Sequence, residues 1–333
     1  MIDFVGKRYW FYLFSMLVVI PGTISLILPN GIREGIEFGS GTTFGFRFEQ
    51  PVETEALRSA LAELGHPDAR IQRTRDGKFL VRTRVLEGGV TAPAIGPAPP
   101  SERENLESAL EERFGTLVDS DGQPIHRFLE FSSVSASVSS DIVRNAALAV
   151  AFASLAILVY ITLSFISVEQ PVRFGVSAIV ALLHDVLLVM GVASIFGRLF
   201  DFEIDTLFIT AMLTIVGFSV HDSIVVFDRV RENARRAAAA GADVTLAETV
   251  NASLNQTLGR SLNTSITVVL TLIALILLGG ETVRDFLIIM LIGLISGTYS
   301  SIFVASQLLV SWEEGDFAGL LPWRGGRTEE QPA

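Results

Sequence analysis

Two histidine–aspartate pairs, His184-Asp185 and His221-Asp222, lie inside runs of apolar residues long enough to cross a bilayer. Insertion scales charge about 2.5–3.5 kcal/mol for an aspartate at the centre of a membrane helix, so such a residue faces a bundle interior and has a partner or a task. His184-Asp185 sits at the middle of its run. Asp222 lies about five residues, roughly 7 Å, from the end of its own run, where Asp228, Arg229, Arg231 and Glu232 follow Phe227. A later apolar run opens at Arg260, at what the topology makes the same depth, and a guanidinium on a long stem reaches inward. The chemistry open to such a pair is proton handling. A neighbouring arginine holds Asp222 ionised, and separation in a drier conformation favours proton uptake. One elementary charge moved through 100 mV is worth about 2.3 kcal/mol, enough to bias a conformational equilibrium of a few kcal/mol. For His184-Asp185 a structural polar pair that sets helix packing is an equal reading.

The same four residues could be taken for an intramembrane zinc hydrolase. Neighbours on a helix point about 100° apart, so only one of each pair faces a common site. No HExxH motif occurs and nothing supplies a clear third ligand. The residues read as transport chemistry and not as an enzyme, with no cofactor and no metal.

The elements that must position these residues are membrane spans. Of 333 residues 50% are hydrophobic and 18% charged, and the mean hydropathy is +0.49, a balance soluble domains do not usually reach. There is no cysteine, hence no disulfide framework or thiolate metal site. A net charge of -11 with scattered basic residues argues against nucleic-acid binding. Six apolar stretches approach the ~20 residues that cross a hydrocarbon core: Trp10 to Leu28, Ala146 to Phe165, Phe174 to Phe196, Leu207 to Phe227, Leu262 to Leu278 and Phe286 to Val310. The first follows Lys7 and Arg8 but is too long for a signal-peptide core and lacks a small-residue cleavage site, so it reads as a retained anchor. With the N-terminus inside, Lys7, Arg8, Arg173, Arg229, Arg231, Arg235, Arg236, Arg260, Arg324 and Arg327 fall on inner segments, against Arg198 and Arg284 outside. Both termini, the loop 228–259 and the tail 311–333 then face the cytoplasm, and residues 29–145 form one translocated domain.

Within that domain Thr42 to Phe48 alternates, with Phe44, Phe46 and Phe48 on one face of a strand. Ala56, Leu57, Ala60, Leu61 and Leu64 make one stripe of a helix over Glu53 to Leu64. Ile71 to Thr74 and Phe79 to Leu86 flank Asp76-Gly77, a hairpin signal. The stretch GGVTAPAIGPAPP is a linker. Asn105 to Phe114 reads as a second helix and Arg127 to Phe131 as a last strand, an order βαββαβ that is the ferredoxin-like arrangement. His66 and His126 stand alone and read as ordinary histidines. On the inner side Thr245-Leu-Ala-Glu248 has capping-box spacing, and Leu246, Val250, Leu254 and Leu258 form a narrow stripe. They predict an amphipathic helix lying along the inner surface and delivering Arg260 into the membrane. In the last span Gly293-Leu-Ile-Ser-Gly297, followed by Ser300 and Ser301, predicts a close helix contact, within the chain or with a partner.

The stretches GIEFGSGTTF, ALLHDVLLVMG, TIVGFSVHDSIVVFDRVREN, SLNQTLGRSLNTS, GGETVRDF and MLIGLISGTYSSIFVAS together resemble the SecF family, the smaller membrane subunits of the bacterial SecD/SecF protein-export complex. The likeness spans nearly all the chain except the middle of the outer domain and the last twenty or so residues. It implies a member of the resistance-nodulation-division superfamily with six membrane helices and a periplasmic domain between the first two. It implies work beside SecD and the SecYEG channel, with other membrane accessory subunits, to use the proton-motive force on translocating preproteins. The family's carboxylate and arginine fall on Asp222 and Arg260, and the pseudo-symmetric other half is expected from SecD. The chain departs from the family at His221, where asparagine is usual, which sets a group titrating near neutrality beside the carboxylate. It departs also at Gly39-Ser40-Gly41-Thr42, in the serine-rich FSSVSASVSS after the last outer strand, and in about four extra residues between the fourth and fifth spans. Two other readings stand beside it, a passive scaffold of the translocase and a related proton-coupled exporter of lipid or small molecules.

Overall fold

The computed structural model describes residues 2–29, 31–74, 77–86, 100–119, 122–165, 171–280 and 283–316. Asp76, nearly all of the Gly88–Pro100 linker, and Arg324 and Arg327 of the tail lie outside them. The chain divides into two units, Glu34–Ala147 and a second made of Met1–Arg33 with Leu148–Ala333.

In the first unit a short helix α2 (Ile36–Gly39) leads into β1 (Gly41–Phe46), followed by α3 (Thr54–Glu63), β2 (Arg70–Arg73), β3 (Phe79–Thr83), α4 (Glu102–Phe114), the two-residue strands β4 (Leu117–Val118) and β5 (Pro124–Ile125), and β6 (Glu130–Val134). The four longer strands form an antiparallel sheet in the order β2-β3-β1-β6, with Phe44 opposite Val81 and Phe131. Phe44, Phe46 and Phe48 are buried as their alternation requires, against Leu57 and Leu61 of α3 and Leu106 and Leu110 of α4. A capping box at Ser101 and Glu104 starts α4 three residues earlier than its apolar pattern does. The last strand lies at Glu130–Val134, three residues later than the sequence suggests, because β4 and β5 pair ahead of it.

His66 is a core residue, 2% exposed, with Nδ1 2.9 Å from Thr83 Oγ1. Burial, then the Arg84 charge, lowers its pKa from the ordinary 6.5, while Glu102 opposes them. A depressed imidazole pKa disfavours the protonated form in the fold, so stability is fully present above pH 6.5 and is lost as pH falls toward the folded value. Protection factors of amides in β3 and α3, that is exchange rates divided by the intrinsic rate at each pH, are therefore expected to fall in the intact protein on acidification below pH 6.5, and His66→Gln will flatten that dependence.

The second unit is the helical bundle: α1 (Arg8–Ile27), α5 (Ala136–Ser164, which begins in the first unit), α6 (Pro171–Phe200), α7 (Thr206–Ala239), α8 (Leu246–Leu278), α9 (Arg284–Ser300), a π-helical turn Ser301–Ala305 and α10 (Ser306–Glu314). Among the described residues six helical stretches, the last running from α9 through α10, are long and apolar enough to cross a membrane. The seam between α1 and α6 is closed by Gly22 and Gly191, where a Cβ on either would come within 2.8 Å of the other backbone. Ser25 Oγ meets Ser194 Oγ at 2.7 Å, and Arg198 donates to the Ser25, Leu28 and Pro29 carbonyls at the end of α1.

The inner amphipathic helix is not a separate element. The capping box at Thr245 starts it as expected, but α8 then runs unbroken from Leu246 to Leu278. A single interior glycine, Gly259, costs about 1 kcal/mol against alanine and does not by itself end a helix, and no proline follows it.

Candidate functional site

Helix contacts fix the relative depth of the polar residues. The helices α7 and α9 run parallel, with Gly293 against Ile215, Gly297 against Ser219, and Ser223 Oγ 3.1 Å from Ser301 Oγ. A Cβ at Gly293 would fall 2.1 Å from Ile215 Cδ1, so this glycine pair serves a contact inside the chain. Asn233 Nδ2 donates to Ser253 Oγ at 2.8 Å and Arg229 Nε to Gln256 Oε1 at 2.6 Å, which sets α8 antiparallel to α7.

Asp222 points into the bundle, 2% exposed, and its Oδ2 has no hydrogen-bond partner among the described residues. His221, about 100° further round α7, is exposed. Eleven residues back from Asn233 is Asp222, and eleven on from Ser253 along α8 is Thr264. Arg260 is four residues from that level, about one turn or 6 Å in depth. The structure thus brings Asp222 and Arg260 to similar depth but does not join them. Arg260 is exposed, and among the described residues no ion pair or hydrogen bond links it to the aspartate.

The other pair is arranged differently. Asp185, 1% exposed, accepts from Ser219 Oγ, Ser296 Oγ and Ser300 Oγ, each at 2.6 Å, and its Oδ1 lies 3.1 Å from His184 Nδ1. One carboxylate on α6 therefore ties α7 and α9 together with both oxygens occupied. Ser301 Oγ extends the network, its one hydroxyl hydrogen lying between the Gly297 carbonyl at 2.7 Å and the Ser219 carbonyl at 2.9 Å. The serines of this cage were not singled out by the sequence reading beyond Ser300 and Ser301. The available signal was Ser296 and Ser300 at i, i+4 on the glycine-containing helix, which puts both hydroxyls on one face.

An unpaired buried acid can gain and lose a proton at small structural cost. A caged one with four contacts holds helices. Among the described residues no group of three or more His, Cys, Asp or Glu could hold a metal ion.

The family model described as protein export membrane protein SecD/SecF, C-terminal, matches residues 118–315. The protein translocase subunit SecF of Thermobaculum terrenum is 46% identical over 334 residues, covering 100% of this chain and 99% of that one. The subunit of the same name from Anaerolinea thermophila is 38% identical, covering 95% and 96%. The crystal structure of SecDF, a translocon-associated membrane protein from Thermus thermophilus, superposes with a TM-score of 0.75 at 33% identity, covering 94% of this chain. This chain spans only 39% of that structure's length. With six apolar helices and relatives matched end to end, the chain belongs to the SecF family of the SecD/SecF protein-export membrane proteins, auxiliary subunits of Sec translocation.

Proposed function

We propose that the chain couples the proton-motive force to protein translocation across the bacterial inner membrane, with Asp222 as the proton carrier and Arg260 as the cation that returns it to the ionised form. The observation that carries this reading is Asp222 itself, a 2% exposed carboxylate on a membrane helix whose Oδ2 has no partner among the described residues, with Arg260 about one turn away in depth. Such a carboxylate is expensive to keep unless its charge changes during work. The SecDF structure, more than twice the chain's length, supports a SecD-like second half supplied by a separate partner. The complex acts on preproteins at the SecYEG channel, with other accessory subunits. The βαββαβ unit, whose strand order β2-β3-β1-β6 supports a ferredoxin-like reading, lies on the periplasmic side, and both termini are cytoplasmic.

His184 and Asp185 have a different part. The three serine donors favour an assembly role, so the scaffold reading applies to this pair and the transport reading to Asp222.

Reconstitution tests the whole. Vesicles holding SecYEG, its motor, SecD and this chain will export faster with an imposed proton gradient, and the gain will vanish when the gradient is collapsed. A gain that persists without SecYEG would indicate an exporter of another cargo. Histidine as a residue type changes charge between about pH 5 and 8, and His221 adjoins the carrier, so His221→Asn is expected to flatten the pH profile of gradient-driven export across that range. An unchanged profile removes His221 from the coupling.

A further inference from the structure

Buried polar atoms around Asp222 divide by depth. On the side of Asp185, Ser15 Oγ on α1 and His184 Nε2 have no partner among the described residues, while the oxygens that face α7, α8 and α9 are paired: both carboxylate oxygens are occupied, and Ser265 Oγ meets Thr298 Oγ1 at 2.7 Å. Toward the arginine-rich end of α7 they are not. Ser261 and Ser177, 2% and 1% exposed, each have an Oγ with no hydrogen-bond partner among the described residues. Gln307 is fully buried, and neither its Nε2 nor its Oε1 has a hydrogen-bond partner among the described residues. Folded proteins rarely leave such atoms unsatisfied, and a primary amide with both ends unpaired is the costliest of the three.

Register places these groups in sequence. Ser265 pairs with Thr298, so Ser261 is level with residue 302, just past Ser301 and Asp222. Six residues beyond Ser301 is Gln307, and six beyond its partner Ser223 is Arg229. Asp185 lies level with the midpoint of Ser296 and Ser300; nine residues on is Gln307, and nine back along antiparallel α6 is Val176, beside Ser177. The layer holding Ser177 and Gln307 therefore coincides with Gln256, which is exposed and bonded to Arg229.

We propose that Gln307, with Ser177 and Ser261, forms a water-holding site that connects Asp222 to the arginine-rich, cytoplasmic end of the bundle, while the serine cage of Asp185 closes the opposite side. The occupant is water because the site offers neutral donors and acceptors from separate helices, and a buried water takes about three such partners. A chain of hydroxyls, an amide and water passes protons without a fixed charge of its own. This inference rests on the proton-carrier reading of Asp222 and names the route by which its proton is exchanged.

The absence of cysteine allows the test in the full chain. Single variants Gln307→Cys, Ser261→Cys and Ser177→Cys, assembled with a cysteine-free SecD partner in inverted membrane vesicles, are treated with a charged methanethiosulfonate. Ala305→Cys, in the buried apolar cluster, is the reference. Since only a hydrated thiolate reacts, the three are expected to be modified at least about tenfold faster than the reference. Rates equal to that of Ala305→Cys overturn the proposal. In export, Gln307→Leu is expected to lower the gradient-driven rate about tenfold and Gln307→Asn, which keeps the amide, to retain it. Unchanged export in Gln307→Leu overturns the connecting role. Labelling does not depend on export. Slow labelling alongside export that is sensitive to Asp222→Asn defeats this inference alone, whereas export insensitive to Asp222→Asn defeats the proton-carrier reading.

Discussion

Asp222→Asn will stop the proton gradient from accelerating export while the chain still assembles with its SecD half at normal abundance. Asparagine has the shape of aspartate, and the Oδ2 it replaces has no hydrogen-bond partner among the described residues, so little packing or bonding is lost. What is lost is the titration. At 100 mV one proton supplies about 2.3 kcal/mol, a factor of about 50 in a rate limited by the driven step, and that component should disappear. The measurement is export into vesicles with and without an imposed gradient, beside co-purification of the two subunits. Gradient-stimulated export at the parental level in the variant would take Asp222 out of the mechanism.

Asp185→Ala should do the reverse in kind, breaking the bundle before it breaks the coupling. Three hydroxyl donors on two other helices lose their acceptor. Hydrogen bonds between membrane helices average about 0.6 kcal/mol each, so three give about 2 kcal/mol, with the cavity left by the side chain adding to it. Asp185→Asn should cost less, because the amide oxygen still accepts from one side of the cage. Unfolding midpoints of purified protein in mixed detergent micelles check the order: parent and Asp222→Asn together, Asp185→Asn lower, Asp185→Ala lowest. An Asp185→Ala protein as stable as the parent would show that the cage does not hold α6, α7 and α9.

The burial cost of a charge in lipid made Asp222 and Asp185 visible from sequence, because that cost depends on residue type and span alone. It did not distinguish them. Their difference lies in Ser219, Ser296 and Ser300, which come from two helices and meet Asp185 only through packing. Gln307 was illegible for the same reason: on α10 it stands among Leu308, Leu309 and Val310, and only the fold shows its amide shut inside. In the outer unit the alternation of Phe44, Phe46 and Phe48 was strong enough to read. The two-residue strands β4 and β5 are too short to carry a period. The unbroken α8 was misjudged because hydropathy drops through Asn255 to Arg260, a change of environment and not of backbone preference.

The glycine and serine seam between α1 and α6 bears on how the protein is made. Ser25 and Ser194 are 169 residues apart, and at ~5–20 residues per second roughly 10–30 s pass before the ribosome delivers the second after the first. During that interval α1 must rest in the bilayer alone, its backbone open at Gly22 and its terminal carbonyls without Arg198. A nascent chain therefore inserts first and zips later, and the newborn helix is the stage at which a membrane chaperone or a quality-control protease would find most to hold.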